Sequence, residues 1–424
     1  MLIKSKDPFR YPSISFQYSS GINHINDPLS SVKPYYQADL RIAKSWNNKF
    51  GIKATYSFLR ANDWIAGNEQ NFDRVGRSIK KGDRQSNPNY DGVNVYGDEI
   101  SQNMKNVAQA VVSFGETSFI KEYKEANGGK VPSRDVINMF LKNNPQTAAF
   151  YAGLNLPGLL PDQSISRTGY KEENLADGNA QSFKTTGALY YNLSRNIQAV
   201  AEAIWGKGST MYTGSDRYAL TNFTVGQYKL ELKGDRFYVR AYTTRERSGD
   251  SYVTSILASY LNETAKPSQQ WFPEYVGNFI AARLTPGTNE AQAHAAARAA
   301  ADDGWLRTGD SSFKVAKDKI RDNTISSGNG ARFNDKSNLY HYEWFYDFSD
   351  LMSKTIGLQA GGSYRAYQLR SAGTIFDDAD RSLNTGEFGA FIIADRGFLD
   401  NRLKMTLPGV MIKMRILKED LLRD

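Results

Sequence analysis

Apolar and polar residues alternate with a period of two in two neighbouring runs, residues 36–46 and 50–58, where even positions are mostly apolar and odd positions mostly polar. A β-strand with a different solvent on each face produces this pattern. The residues between the runs, Asn47-Asn48-Lys49, favour a tight turn. We therefore predict a β-hairpin, which fits a soluble β-sandwich as well as a membrane sheet with aromatic rings at the headgroups.

The alternation recurs in four further hairpins, and one strand is predicted before the first hairpin, which gives about eleven strands. Turns of a few residues alternate along the chain with loops of roughly ten to over a hundred residues. Outer-membrane barrels have this order because their periplasmic turns are short and their surface loops are long. The pattern predicts an all-β protein, an antiparallel up-and-down transmembrane β-barrel. Its strands are expected near residues 13–20, 36–58, 183–205, 228–242, 340–366 and 388–405.

Two long surface loops are expected to contain short helices. In the loop after Trp64, Ser133 is a candidate N-cap for a helix over residues 134–141. In the loop over residues 248–337, the alanine-rich residues 289–303 have high helix propensity. No apolar run approaches the ~20 residues of a membrane helix, so any membrane-spanning segments must be strands.

The composition favours the membrane interpretation and excludes several kinds of site. With 25 Tyr and 22 Phe but a mean hydropathy of -0.55, the chain is aromatic yet polar on average, as expected when only alternate strand residues face lipid. It has no cysteine, which excludes disulfides and thiolate metal sites. The net charge of +8 is spread along the chain, so we expect no nucleic-acid partner. No nucleophile, phosphate-loop or zinc motif is present, and we expect neither enzymatic activity nor a cofactor.

Candidate ligand contacts lie on the polar parity of the expected strands. We assign Arg240, Tyr242, Arg245 and Arg365 to this lumen-facing parity. There they would contact a plug or a passing anionic ligand, or would only make the lumen polar.

Other titratable residues are expected in unspecialised polar positions. The three histidines, His24, His294 and His341, are far apart in the sequence, which favours polar surface roles over metal or base roles. The acids at positions 91, 98 and 99 do not have the spacing of a calcium loop. We expect them in a solvated loop.

Five segments resemble the TonB-dependent outer-membrane receptors and transporters, especially the large Bacteroidetes type that often carries a carboxypeptidase-regulatory-like domain. They are FQYSSGINHI (16–25), ANDW (61–64), PNYDGVNVYGDE (88–99), GGSYRAYQL (361–369) and FLDNRLKMT (398–406). The resemblance implies a barrel of about 22 strands with a plug domain in its lumen. It also implies partners: outer-membrane lipid, a TonB energy-transducing complex and a surface lipoprotein. Its ligand would be a scarce large nutrient, such as a glycan, siderophore or cobalamin-like molecule, taken up with energy.

On this hypothesis residues 1–406 form about half of such a barrel. The first residues lack the apolar stretch of a signal peptide, and neither a plug nor a TonB box precedes Ser13. Residues 407–424 show no strand alternation and are expected to be a non-native tail. That tail is either a short helix or the product of a frameshift near codon 407, since a shifted frame allows a string like the family's next strand.

The resulting hypothesis is a fragment of a TonB-dependent transporter, inactive by itself, whose intact parent lies in a Gram-negative outer membrane. The alternative is a soluble or surface-attached β-rich binding protein without transport activity.

Overall fold

One large antiparallel sheet dominates the computed structural model, which describes residues 5–22, 32–352, 356–398 and 403–415. Each strand pairs with its neighbour in the chain, apart from a short strand that lies off the main path. The twelve strands are β1 Ile14–Ile22, β2 Pro34–Trp46, β3 Phe50–Asn62, β4 Asn179–Asn192, β5 Ile197–Thr213, β6 Arg217–Gly234, β7 Phe237–Arg247, β8 Tyr252–Val253, β9 Asn338–Asp347, β10 Ile356–Leu369, β11 Leu383–Phe398 and β12 Leu403–Arg415.

The sequential antiparallel order agrees with the sequence prediction. Eleven strands follow one another along the sheet. The short strand β8 pairs with the start of β6, at Tyr218 and Ala219. Within the described residues, β1 and β12 each pair with a single neighbour, β2 and β11 respectively. The expected turn between β2 and β3 is present, and Asn47 and Asn48 both adopt a positive φ, of 51° and 49°. This is the backbone of the turn type that matches the twist of a hairpin.

The structure differs from the sequence prediction in the connection between β5 and β6 and in the presence of strand β12. The alternation of β5 was expected to end near Trp205, but pairing with β6 continues to Thr213 across an irregularity between Gly208 and Thr210. A turn over residues 214–216 therefore replaces a loop of moderate length. After Thr406 we expected no strand, but β12 pairs with β11 as far as Arg415. The frameshift stays a prediction, and residues 416–424 lie outside the described residues.

The chain is not all-β, because a second compact unit is mainly helical. We call the first unit the sheet unit (Met1–Trp64, Gly178–Val253 and Asp322–Asp424) and the second the helical unit (Ile65–Asp177 and Thr254–Arg321). The helices are α1 Met104–Ala126, α2 Arg134–Asn143, α3 Ala148–Asn155, α4 Glu172–Leu175, α5 Thr254–Ala265, α6 Ser268–Leu284, α7 Glu290–Ala301 and α8 Ser311–Asp322. Two 3₁₀ turns, Ile325–Ser327 and Ser349–Leu351, lie in the sheet unit.

Both predicted helices are confirmed at their capped starts. The Ser133 side chain accepts a hydrogen bond from the Val136 amide at the start of α2, and Asn289 forms a reciprocal capping box with Gln292 at the start of α7. The expectation of short helices only was wrong, since α1 has 23 residues. No helix in the described parts of the chain has the length and apolar character needed to cross a membrane.

The helical unit has its own apolar core. The side chains of Trp271, Tyr275 and Phe279 on α6 are fully buried. They pack with residues of α1, α3 and α7, including Met104, Phe150 and Ala297. Three two-stranded ladders complete the unit: Phe72–Asp73 with Ser78–Ile79, Val95–Tyr96 with Tyr170–Lys171, and Ser101–Asn103 with Ser164–Ser166.

Candidate functional site: the two faces of the sheet

One face of the large sheet is apolar and exposed. Along β6 it presents Tyr228, Leu230 and Leu232, all of which are exposed. The register carries this face across the neighbouring strands, since Leu230 lies opposite Ala201 on β5 and Ala241 on β7. We call it the apolar face, and the opposite one the polar face.

Aromatic side chains are concentrated at the two ends of the apolar face. The turn-side belt lies near the short hairpin turns and comprises Trp46, Phe50, Tyr191, Phe237, Tyr346 and Phe398. The loop-side belt lies towards the ends from which the long loops depart and comprises Tyr36, Phe58, Phe183, Trp205, Tyr228, Tyr342, Tyr364 and Phe388. Neighbouring rings contact each other, with centroids 5.7 Å apart for Trp46 and Phe50 and 6.1 Å apart for Phe183 and Trp205.

Both belts run diagonally across the hydrogen-bonded register. Following Trp46 on β2 from partner to partner leads to Ala390 on β11, whereas the aromatic residue of the belt on β11 is Phe398, eight residues further along. Between these two strands the shift averages one residue per step, although Phe50 and Tyr191 lie directly in register with Trp46. With ~3.3 Å per residue and ~4.8 Å between strands, strands tilted by about 35° bring each belt to one level.

The polar face carries a continuous row of charged and hydrogen-bonding side chains. On β5, Glu202 lies 3.5 Å from Lys53 Nζ on β3 and 3.1 Å from Lys229 Nζ on β6. Lys229 is paired with Tyr242, and the row continues through His341 and Arg365 to Glu387. The predicted residues Tyr242 and Arg365 therefore lie in one row, two strands apart.

Aromatic and ionic contacts hold this row together. The Tyr242 and His341 rings stack with centroids 4.7 Å apart. Arg365 Nε donates to His341 Nδ1 at 3.0 Å, and Arg365 also lies 3.4 Å from Glu387. His341 is thus a member of the polar face, and its side chain is almost fully buried among these neighbours.

Arg240 lies beside this row and is doubly paired. Its Nε donates to Glu231 Oε2 at 2.7 Å, and its other guanidinium nitrogen contacts Glu343 at 2.8 Å. Both acids come from adjacent strands, directly opposite Arg240 in the register. The lumen-side assignment of Arg240, Tyr242 and Arg365 thus corresponds to one face, but their role in ligand contact stays a prediction.

The assignment of Arg245 to that face was wrong. Arg245 has the same parity as Val239 and Ala241, and its guanidinium lies 5.6 Å from the Tyr228 ring on the apolar face. Its odd position on β7, five residues from Arg240, turns the side chain to the other side of the sheet.

The segment before β1 lies across the polar face. We call residues 5–13 the strap. Phe9 packs against Ala188, Tyr190 and Val200, and Ser5 Oγ accepts a hydrogen bond from Lys53 Nζ at 2.7 Å. Nothing in the sequence pattern indicated this contact, because it depends on residues far apart in the chain.

Two sequence expectations for the helical unit were wrong. Asp98 is fully buried instead of solvated; it accepts hydrogen bonds from Arg84 and from the Gly92 amide, at 3.2 and 3.0 Å. Burial raises the pKa of Asp98 to about 8. His294 is also buried, against Phe279, with its ring nitrogens 3.0 Å from Tyr275 Oη and 2.9 Å from Gln163 Nε2. His24 lies outside the described residues.

The described residues contain no group of three or more His, Asp or Glu side chains able to hold a metal ion. No protein-family model matches the chain, and neither does any curated protein.

Solved structures are similar to the chain only at low identity. OpdL from Pseudomonas aeruginosa is 8% identical with a TM-score of 0.20, over 95% of this chain and 92% of that one. OccAB4 from Acinetobacter baumannii is 10% identical with a TM-score of 0.18, over 94% and 92% of the two chains. OccAB2 from the same organism is 9% identical with a TM-score of 0.20, over 96% and 92%.

The assignment to the TonB-dependent receptors was wrong: no model of that family matches the chain, and the solved structures found are Occ/OprD-family outer-membrane porins. The expectations that rested on this resemblance lose their support. They are energised nutrient uptake, a plug, a TonB complex, a carboxypeptidase-like domain and the half of a larger receptor barrel. At least one segment behind the resemblance has a local structural cause. Gly361 and Gly362 in residues 361–369, for example, leave room for the Phe391 and Trp344 rings, a packing need of many aromatic sheets.

Proposed function

We propose that the sheet unit lies in an outer membrane as the wall of a β-barrel. Its apolar face contacts lipid, and its polar face lines a water-filled passage through which small polar solutes diffuse. Among the described residues the outer edges of β1 and β12 have no partner strand. They must be paired for such a wall to be stable, because lipid cannot satisfy backbone hydrogen-bonding groups.

The spacing of the two aromatic belts carries this proposal. The belts are ten residues apart on β2, from Tyr36 to Trp46, and on β11, from Phe388 to Phe398; they are eight apart on β3 and β4 and four apart on β9. At ~3.3 Å per residue and a tilt of about 35°, ten residues span roughly 27 Å. Membrane barrels have an apolar band ~25 Å tall between aromatic girdles, whereas a soluble sheet has no reason to keep this spacing on strands so far apart.

The polar face fits the wall of a passage for small solutes. Its central cations, Lys53, Lys229, Arg240 and Arg365, are each within ion-pair distance of an acid. Such a wall is wet yet nearly balanced in charge, so it favours small polar solutes without a strong preference for one sign.

A cysteine scan of β6 tests the proposal, since the chain has no native cysteine to give a background. Single cysteines are placed at Gln227, Tyr228, Lys229 and Leu230 in the full chain reconstituted into lipid vesicles. With a charged, water-soluble thiol reagent, we expect labelling at positions 227 and 229 and protection at positions 228 and 230.

Labelling of all four positions at similar rates would contradict the proposal and favour a soluble binding protein. Solute passage is tested separately by the conductance of the same preparation in planar bilayers, where we expect ohmic channels. A protected apolar face without conductance would keep the membrane location and refute the passage.

A further inference from the structure

Charged residues are distributed unequally between the two faces of the sheet. In the described strands every acid lies on the polar face: Asp39, Glu202, Glu231, Glu246, Glu343, Asp347, Glu387 and Asp395. The charged residues on the apolar face of the described strands are all cations: Lys44, Arg60, Lys207, Arg245, Arg247, Arg396 and Lys413. Solubility alone would place both signs on an exposed surface, so the apolar face is fitted to an anionic environment.

Four of these cations form a belt just beyond the loop-side aromatic residues. Lys207 on β5 is in register with Phe58 on β3, and Arg60 lies two residues beyond Phe58. Arg245 on β7 is in register with Trp205, two residues short of Lys207. Each cation is thus displaced by one residue per strand, the same diagonal as the aromatic belts.

Lys413 on β12 continues this line. Following the register from Lys413 through Phe388 and Tyr342 leads to Ala241 on β7, four strands away. Arg245 lies four residues from Ala241, so the displacement is again one residue per strand. We call Arg60, Lys207, Arg245 and Lys413 the basic belt. On tilted strands these four side chains reach one level of a bilayer.

The first three members of the basic belt have no acidic partner among the described residues, and all are exposed. Arg60 also lines a groove of about 480 Å³ together with Tyr18, Tyr36 and Phe58. A cation at the rim of an aromatic groove matches a lipid, whose acyl chain is apolar and whose phosphate is anionic.

We propose that the basic belt binds the phosphate groups of anionic lipids in the leaflet on the loop side, with an acyl chain in the groove beside Arg60. This inference rests on the proposed function, because it assumes that the apolar face lies in a bilayer. It goes further by assigning headgroup chemistry to one side of that bilayer.

Spin-labelled lipids test the proposal in the full chain reconstituted in phosphatidylcholine vesicles. Electron spin resonance gives the association constant of labelled phosphatidic acid relative to labelled phosphatidylcholine. We expect a several-fold preference for phosphatidic acid in the wild type. The triple variant Arg60→Gln, Lys207→Gln, Arg245→Gln should remove most of this preference, so that the ratio of the two association constants falls close to 1.

A matched variant separates the basic belt from net charge. Lys184→Gln, Lys233→Gln and Lys404→Gln remove the same charge from the polar face and should leave the preference unchanged. An equal loss of the phosphatidic acid preference in both variants, or no such preference in the wild type, would overturn lipid binding by the basic belt. Motionally restricted spin-labelled lipid at the protein would still support the membrane location. The absence of restricted lipid with either headgroup would overturn the proposed function as well.

Discussion

Arg240 and Arg245 show at the residue scale how one strand assigns the same side chain to different environments. Arg240 contacts two acids on neighbouring strands, whereas Arg245 lies over an aromatic ring at the rim of the apolar face. Their positions differ by five, an odd number, so they point to opposite sides of the sheet. The two residues form an internally matched pair for testing charge on each face.

Replacing Arg240 should change the ion selectivity of the passage. In Arg240→Gln the acids Glu231 and Glu343 lose their shared cationic partner. We expect the cation-to-anion permeability ratio, measured from the reversal potential in a salt gradient, to rise about twofold to fivefold. Arg245→Gln removes the same charge from the other face and should leave the ratio unchanged; an equal effect of both would contradict the assignment of the faces.

His294 should make the helical unit sensitive to acid. Burial, and next the charge of Arg298, lowers the pKa of His294 from 6.5 to about 4. The neutral ring fits its site because Gln163 Nε2 can only donate to it. The unfolded chain binds this proton more readily, so the stabilisation is present above pH 6.5 and is lost as the pH falls towards 4.

The loss should be on the order of 2 kcal/mol. Hydrogen exchange of α6 and α7 in the full chain measures it, as faster exchange at pH 4.5 than at pH 7 after correction for the intrinsic rate. His294→Gln lacks the titrating group, so its corrected exchange should differ less between the two pH values. If wild type and variant respond alike, His294 is not the sensor.

At the scale of elements, the strap is the feature that covers part of the polar face. It lies on β3 to β5, where Pro8 and Phe9 contact the sheet at Gly51. A Cβ at Gly51 would lie 3.0 Å from Pro8 and 3.2 Å from Phe9. The absence of a side chain at this position is therefore a condition for the strap to lie flat.

Gly51→Val should displace the strap and uncover Val200, which is now 4% exposed. A Val200→Cys reporter in the full chain should then react with a water-soluble maleimide at least tenfold faster. Gly187→Val, on the neighbouring strand and with no atom within 4 Å of the added Cβ, is the control and should leave the rate unchanged. Equal rates in both variants would show that the strap does not cover this position.

The elements differ in how far sequence could predict them. The hairpins could be predicted because a strand with a different solvent on each face has alternating apolar and polar residues in its sequence, as in residues 36–58. The helix α6 was missed because it is apolar on several sides, with Trp271, Phe272 and Tyr275 all buried, so it lacks a polar stripe. For the site, parity alone grouped Arg240 with Tyr242, but the pairing of Arg365 with His341 required the register.

At the scale of the whole molecule, the diagonal belts predict a strand tilt. A shift of one residue per strand corresponds to about 35° from the bilayer normal. Polarised infrared dichroism of the amide I band in oriented bilayers should give this angle for the sheet. Strands lying parallel to the bilayer plane would contradict the barrel wall, and the amide signal of the helices can be separated by its frequency.

The number of strands along the sheet also restricts how a barrel can close. Neighbours in the sheet are antiparallel at each of the ten junctions. The first and eleventh strands, β1 and β12, therefore run in the same direction. Joined directly, they would form one parallel seam in an otherwise antiparallel wall. A fully antiparallel wall that contains this sheet needs an odd number of further strands between these edges. The pairing formed between β1 and β12 would therefore determine how such a wall assembles.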